Sequence, residues 1–433
     1  MPASADNEYM SDIEEAGASL GATRSICVPI NGNTSGYVAR QPILDRSGAV
    51  FGYELHFHQA APSRLEGTLR DAGHGLLDTV ATYGVEHFSP GSRAFLHCSS
   101  EVVVEGGWEG LPRSRTVLEF SSTSTPSPEL IRACHRLQEA GFELALLNFD
   151  FTCPAGELLE FVDYVKIDAN HLAGLEGDSL SRGLIGKRAI VIADNVQTHA
   201  AHRKARSLGI RYFQGLYFCN PDFIPGGEIP AQSAYQVQIL RELFKDPLNL
   251  KTLCPLVKED ASLVYRVLRF ANSPLCALCS PVTSIESALM ILGDNTFRRI
   301  AALAIQCALS QGQTPELLNM ALIRARFCAG AASLCGLDPD EQYLLGMLSM
   351  LPPMLRVPMQ QILSELPLRV EIRNALAGIP GKERALLSWI EHLEENCIPG
   401  CEQIAEEYGL DAERMADLYC RALQDDTRGA LSG

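Results

Sequence analysis

The chain has 433 residues, 46% of them hydrophobic and 20% charged, with 36 Lys and Arg against 52 Asp and Glu for a net charge of −16. That length exceeds what one hydrophobic core serves and predicts two domains. The acidic balance excludes a nucleic-acid face, which needs clustered cations to displace counterions, and disfavours an anionic membrane.

In chain order, residues 1–35 carry Asp6, Glu8, Asp12, Glu14 and Glu15 among small polar residues and read as a disordered acidic tail. The tail has no basic segment followed by an apolar core. No run in the chain reaches the ~18 consecutive apolar residues of a membrane span, so a cytoplasmic protein is expected. Strand-like runs follow at Val38–Ile43, Val50–Phe57, Arg93–Cys98, Thr116–Phe120, Glu143–Phe149, Tyr164–Asp168, Ala189–Ala193 and Tyr212–Phe213. Amphipathic stretches such as Glu129–Ala140 and Thr198–Leu208 separate several of them. Alternation of strand and helix after an opening hairpin predicts a (β/α) barrel of TIM type, whose chemistry sits at the C-terminal strand ends. The Pro- and Gly-rich segment 219–230 marks a boundary, giving a barrel domain over 36–225 and a linker over 226–235. From there helical periodicity dominates, including 297–309, 317–335, 341–351 and 358–364, so 236–425 reads as an all-α domain before a flexible 426–433. The fourteen cysteines lie mostly in apolar segments and read as reduced thiols. Cys276 and Cys279, like Cys397 and Cys401, lack the partners that complete a zinc site.

The motifs narrow this further. "ARQPILDRSGAVFGYEL", "AFLHCSS", "VLEF", "YVKID" and "YFQGLYF" together resemble an EAL domain, the phosphodiesterase domain for cyclic di-GMP. "LVYRVLRFANSP" and "VTSIESALMILG" resemble the start of an HDOD domain, a modified HD hydrolase-like helical module. The order is similar to the EAL–HDOD signalling proteins of bacteria, sometimes called the YuxH type. That resemblance implies a barrel holding two divalent cations on carboxylate and amide oxygens, which activate water against a phosphodiester.

Position by position the implied site is degenerate. Glu54 stands at the signature glutamate, but His97 takes the place of a ligand Asn. Glu119 is retained, while the second acid of its motif is Ser122. Leu147 and Asn148 occupy the paired-aspartate positions, so a side chain without a lone pair and a neutral amide replace two charges. Lys166 and Gln214 remain, Asp194 is a methylene shorter than the expected glutamate, and Gln197 replaces another. Gln41 and His58 are the candidate nucleotide contacts, although His58 lacks the fork of the usual Arg. Glu54, Lys166 and Glu119 also have a plainer reading as a self-neutralising cluster, with His56 and His97 as rim side chains.

In the helical half an HD enzyme needs histidines, and His392 is the sole one after residue 230. Ser349 and Met350 take the signature places, whereas Asn272, Ser273 and Pro274 read as a helix stop. No catalytic residue, metal or cofactor is therefore expected. The expected function is regulatory contact with other signalling proteins in a cyclic di-GMP network, with a homo-oligomer among the expected partners. The alternatives are a cyclic di-GMP receptor without hydrolysis and, less favoured, an active phosphodiesterase.

Overall fold

The computed structural model describes residues 28–30, 34–59, 69–121, 126–149, 154–174, 189–220, 229–272 and 281–424. The acidic residues before 28, Ser122, Ser273, Pro274, Cys276, Cys279, linker residues 221–228 and the C-terminus from 425 lie outside the described residues.

Nine strands form one sheet in chain order: β1 (Val28–Ile30), β2 (Thr34–Asp45), β3 (Val50–Gln59), β4 (Arg93–His97), β5 (Thr116–Ser121), β6 (Glu143–Leu147), β7 (Tyr164–Asp168), β8 (Ile190–Asp194) and β9 (Tyr212–Gln214). Pairing of β2 with β9 closes β2–β9 into an eight-stranded barrel. β2 runs antiparallel to both neighbours, and the other barrel pairs are parallel. The β2–β3 hairpin turns on Asp45, whose carboxylate accepts the backbone N–H of Ser47 at 2.7 Å and of Ala49 at 3.0 Å. Crossover helices start on hydroxyl caps: Ser127 opens Pro128–Glu139 and Thr198 opens His199–Ser207.

Period-2 alternation stacks the barrel interior in layers. Ile43, Phe95, Val117, Ala145, Tyr164 and Ile192 pack together as the lower layer. Two residues nearer the barrel mouth come His97, Glu119, Leu147, Lys166 and Asp194, with Gln214 on β9 and, because β2 runs the other way, Gln41 two residues before Ile43. One layer thus gathers most of the residues singled out in the sequence.

Two sequence boundaries change. Val28–Ile30, assigned to the tail, pairs antiparallel with Thr34–Gly36, because an apolar, β-branched pair of residues suits a strand whatever the acidity upstream. Residues 231–235, assigned to the linker, already belong to the helix Ala231–Leu243, which Pro230 precedes without having to donate inside it.

The described residues of the second half are helical in character from Ala231 to Ala271 and from Ile285 to Gln424. Asn272 caps the helix Ala261–Ala271 and exchanges two hydrogen bonds with Val282, donating to its carbonyl at 2.8 Å and accepting from its N–H at 2.7 Å. The helical run Pro315–Cys335 is long and apolar enough to cross a membrane, but 61% of that window is buried, and its helix packs against Pro339–Leu348, Lys382–Glu394 and Ala412–Gln424. Gly346 makes one of these contacts possible: a Cβ there would lie 2.5 Å from the Arg324 backbone. The ten described cysteines are free.

The two halves are docked. Buried Tyr53 on β3 donates its hydroxyl to Glu316 at 2.9 Å, and Thr314 donates to the Gly48 carbonyl at 2.7 Å. The helix Ala412–Gln424 packs on β2, and one apolar cluster runs through both halves.

Candidate functional site at the barrel mouth

The upper layer is built around a buried cation. Lys166 is fully buried, with its ammonium 2.9 Å from Glu54 Oε2 and 2.7 Å from Glu119 Oε2. Gln214 Nε2 donates to Gln41 Oε1 at 2.7 Å and also to Glu54 Oε2. Gly215 lets this end of β9 close in: its φ is +133°, and a Cβ would fall 2.3 Å from the Val196 carbonyl oxygen.

Burial alone would raise the Glu54 carboxyl, but Lys166 and then His56 hold it well below the usual carboxylate range. Glu119 is pushed well up by burial and by the charge of Glu54, against the pull of Lys166. Lys166 is raised because Glu119, Glu54 and Asp194 outweigh its desolvation. Asp194, half-buried at the end of β8, is pushed up to about 6 by burial and the charge of Glu54, opposed by Lys166. The cluster therefore shares protons and compensates its own charge.

Glu54 Oε1 faces the other way. His56 Nε2 lies 3.0 Å from it and His97 Nδ1 lies 3.9 Å from it. His56 is thus more than a rim side chain, and the signal was available: residues i and i+2 of a strand share a face, so Glu54 and His56 point together. His58 continues that face; burial and the neighbouring His56 push its pKa down to about 3, leaving it neutral.

The remaining predicted residues are spread around the rim. Leu147 is 6% exposed and contributes only hydrocarbon. Asn148 is exposed with a left-handed backbone, φ 51°, a conformation Asn tolerates better than most residues. Gln197 is exposed and donates to Asn195 Oδ1 at 3.0 Å, while Asn195 donates to Asp168 Oδ2 at 3.0 Å.

These residues do not fit the pair of hard divalent cations that the EAL resemblance implies. The two surviving carboxylates already share an ammonium, Leu147 offers no donor, and imidazole matches magnesium poorly.

A second buried cation lies where the barrel rim meets the helical half. Arg324 forks onto Glu394, with Nε 3.1 Å from both oxygens and Nη2 2.6 Å from Oε2. Its Nη1 reaches Glu391 at 3.3 Å and donates to Ser349 Oγ at 3.0 Å. These residues line a cavity of ≈ 330 Å³ shared with Gln197, Cys219 and Asn220 of the barrel. Sequence reasoning named Ser349 here but missed Arg324, because its partners are 67 and 70 residues away. His392 is occupied with the Ser388 carbonyl at 2.7 Å.

The HDOD domain model matches residues 229–371. The helical half thus carries an HDOD domain behind an eight-stranded barrel. Among curated proteins it is similar to "Uncharacterized protein YuxH" of Bacillus subtilis, 27% identical over 401 residues, covering 90% of this chain and 97% of that protein. It is also similar to "Cyclic di-GMP phosphodiesterase CdgJ" of Vibrio cholerae, 29% identical over 385 residues, covering 87% of this chain and 89% of that protein. Among solved structures, an EAL domain protein from Listeria monocytogenes aligns with a TM-score of 0.35 at 16% identity, covering 42% of this chain and 87% of that one. The EAL domain of Mycobacterium smegmatis DcpA aligns with a TM-score of 0.34 at 22% identity, covering 42% and 90%.

Proposed function

We propose that this chain is a bacterial, cytoplasmic signal-transduction protein that acts by contacting other proteins in a cyclic di-GMP-linked network, and that its barrel does not hydrolyse the nucleotide. The observation that carries this reading is Lys166 seated between Glu54 and Glu119, with Leu147 and Asn148 at the end of β6. Two-metal hydrolysis needs anionic oxygens turned toward cations, and here they are turned toward an ammonium. Support for protein contact comes from the helical half, where Tyr265, Met290 and Ile291 are 61%, 74% and 57% exposed on two helices that pack together.

A nucleotide receptor is the second reading, supported by Gln41 and Gln214 joined at the mouth. A neutral His58 weakens it, since it brings no charge to a phosphate. The name of the Vibrio cholerae relative favours a third, an active phosphodiesterase. Calorimetric titration of the full chain with cyclic di-GMP, with and without magnesium or manganese, separates the first two. No heat is expected; saturable heat with intact nucleotide would replace the first reading with the second.

A further inference from the structure

The geometry points to a site at the barrel mouth for one divalent cation of the zinc class, held by Glu54 Oε1, His56 Nε2 and His97 Nδ1. The three ligand atoms lie within 4.8 Å of one another. In a tetrahedral site, metal–ligand bonds of 2.0–2.2 Å place neighbouring donors about 3.3–3.6 Å apart. The two separations from Oε1, 3.0 Å and 3.9 Å, bracket that spacing, and the two imidazole nitrogens lie within 4.8 Å of each other, so the rings must swing toward one ion to close the set.

Three further observations support it. Glu54 divides its work: Oε2 is pinned by Lys166 and Gln214, which fixes the carboxylate while leaving Oε1 toward the histidines. The Lys166 ammonium is also held on its other side by Glu119 Oε2 at 2.7 Å, which keeps it in place beneath Glu54. His97 Nδ1 is buried with no hydrogen-bond partner among the described residues, a polar atom whose desolvation nothing there offsets. The imidazole side chains themselves remain 16% and 33% exposed, so an aquated ion has a path in and a water can keep the fourth position.

The site reuses two positions of the one the EAL resemblance implies, Glu54 and His97, and differs from it in its donor set and in the third ligand, His56. Two nitrogens and one oxygen select zinc, cobalt, nickel or copper over magnesium, and His56 belongs to no part of that older pattern. The inference does not rest on the regulatory reading, since a chain that ignores cyclic di-GMP could still hold the ion.

The test uses the full chain, stripped with chelator and titrated with cobalt(II), then with zinc. One equivalent of cobalt should bind, giving visible d–d bands without the near-ultraviolet charge-transfer band of cysteine thiolates. Zinc should displace it and magnesium should not. His56→Ala, His97→Ala and the milder His97→Asn should each weaken binding by more than about tenfold, since losing even an outer-shell partner costs that much. Circular dichroism checks that each variant is folded. Absence of stoichiometric binding, a thiolate band, or affinity unchanged in the folded histidine variants would overturn the assignment.

Discussion

Lys166 in the barrel and Arg324 in the helical half are both buried cations held between two carboxylates, yet they leave different things free. Arg324 engages all three guanidinium nitrogens, and its planar fork takes both oxygens of Glu394. Every guanidinium nitrogen of that cluster is thus already engaged. Lys166 is a point charge that takes one oxygen from each carboxylate, so Glu54 retains Oε1 beside His56. In both, a side-chain cation compensates the acids. The helical cluster has become structure, whereas the barrel cluster keeps an open face.

Removing either cation should therefore cost most. Arg324→Met leaves Glu394 buried without its partner and should destabilise the chain by about 3–5 kcal/mol in urea unfolding. Lys166→Met should cost a similar amount at pH 7, but with a distinctive pH dependence. Burial and mutual repulsion would raise the pKa values of Glu54 and Glu119 above their unfolded values. A raised carboxyl pKa stabilises below the unfolded pKa and ceases to do so as pH rises through the folded one. The penalty should therefore shrink as pH falls from 7 toward 4.5. Adding Glu54→Gln to Lys166→Met should recover most of the loss, because removing both charges of a buried ion pair costs far less than leaving one unpaired. If the double variant were as unstable as the single, the charge-compensation account of the mouth would be wrong.

Smaller effects probe what holds the two clusters in place. Gly346→Ala pushes a methyl against the Arg324 backbone and should cost about 1–3 kcal/mol in thermal unfolding. Tyr53→Phe removes the buried hydroxyl from Glu316, an interdomain hydrogen bond to a carboxylate worth about 1.5–3 kcal/mol. The smallest effect concerns His202, stacked on Tyr217 at 4.2 Å, whose pKa burial and nearby cations push down to about 4. A depressed histidine contributes stability that is present above its unfolded pKa near 6.5 and is lost as pH falls toward 4. His202→Gln should flatten the acid limb of the stability curve by about 1 kcal/mol, discounted from the full shift because the ring is only half-buried.

The eight barrel strands were legible because each is a short apolar or alternating run bounded by turn residues. Glu54, Glu119 and Lys166 read from the sequence as one self-neutralising cluster at the strand ends, and they meet at the barrel mouth. Val28–Ile30 escaped because a three-residue run carries little signal beside an acidic tail. The ion pairs escaped for another reason. Arg324 and Glu394, or Tyr53 and Glu316, meet only through tertiary packing, and local pattern holds no information about partners 70 or 263 residues away.

The proposed function makes the mouth of the barrel a charge-compensated cluster in place of a two-metal hydrolase site. Incubating the full chain with cyclic di-GMP and either magnesium or manganese, then resolving the nucleotides by chromatography, tests it most directly. The account predicts that the cyclic dinucleotide is recovered intact at every time point. Linear dinucleotide accumulating in proportion to protein, and abolished by Glu54→Gln, would contradict it.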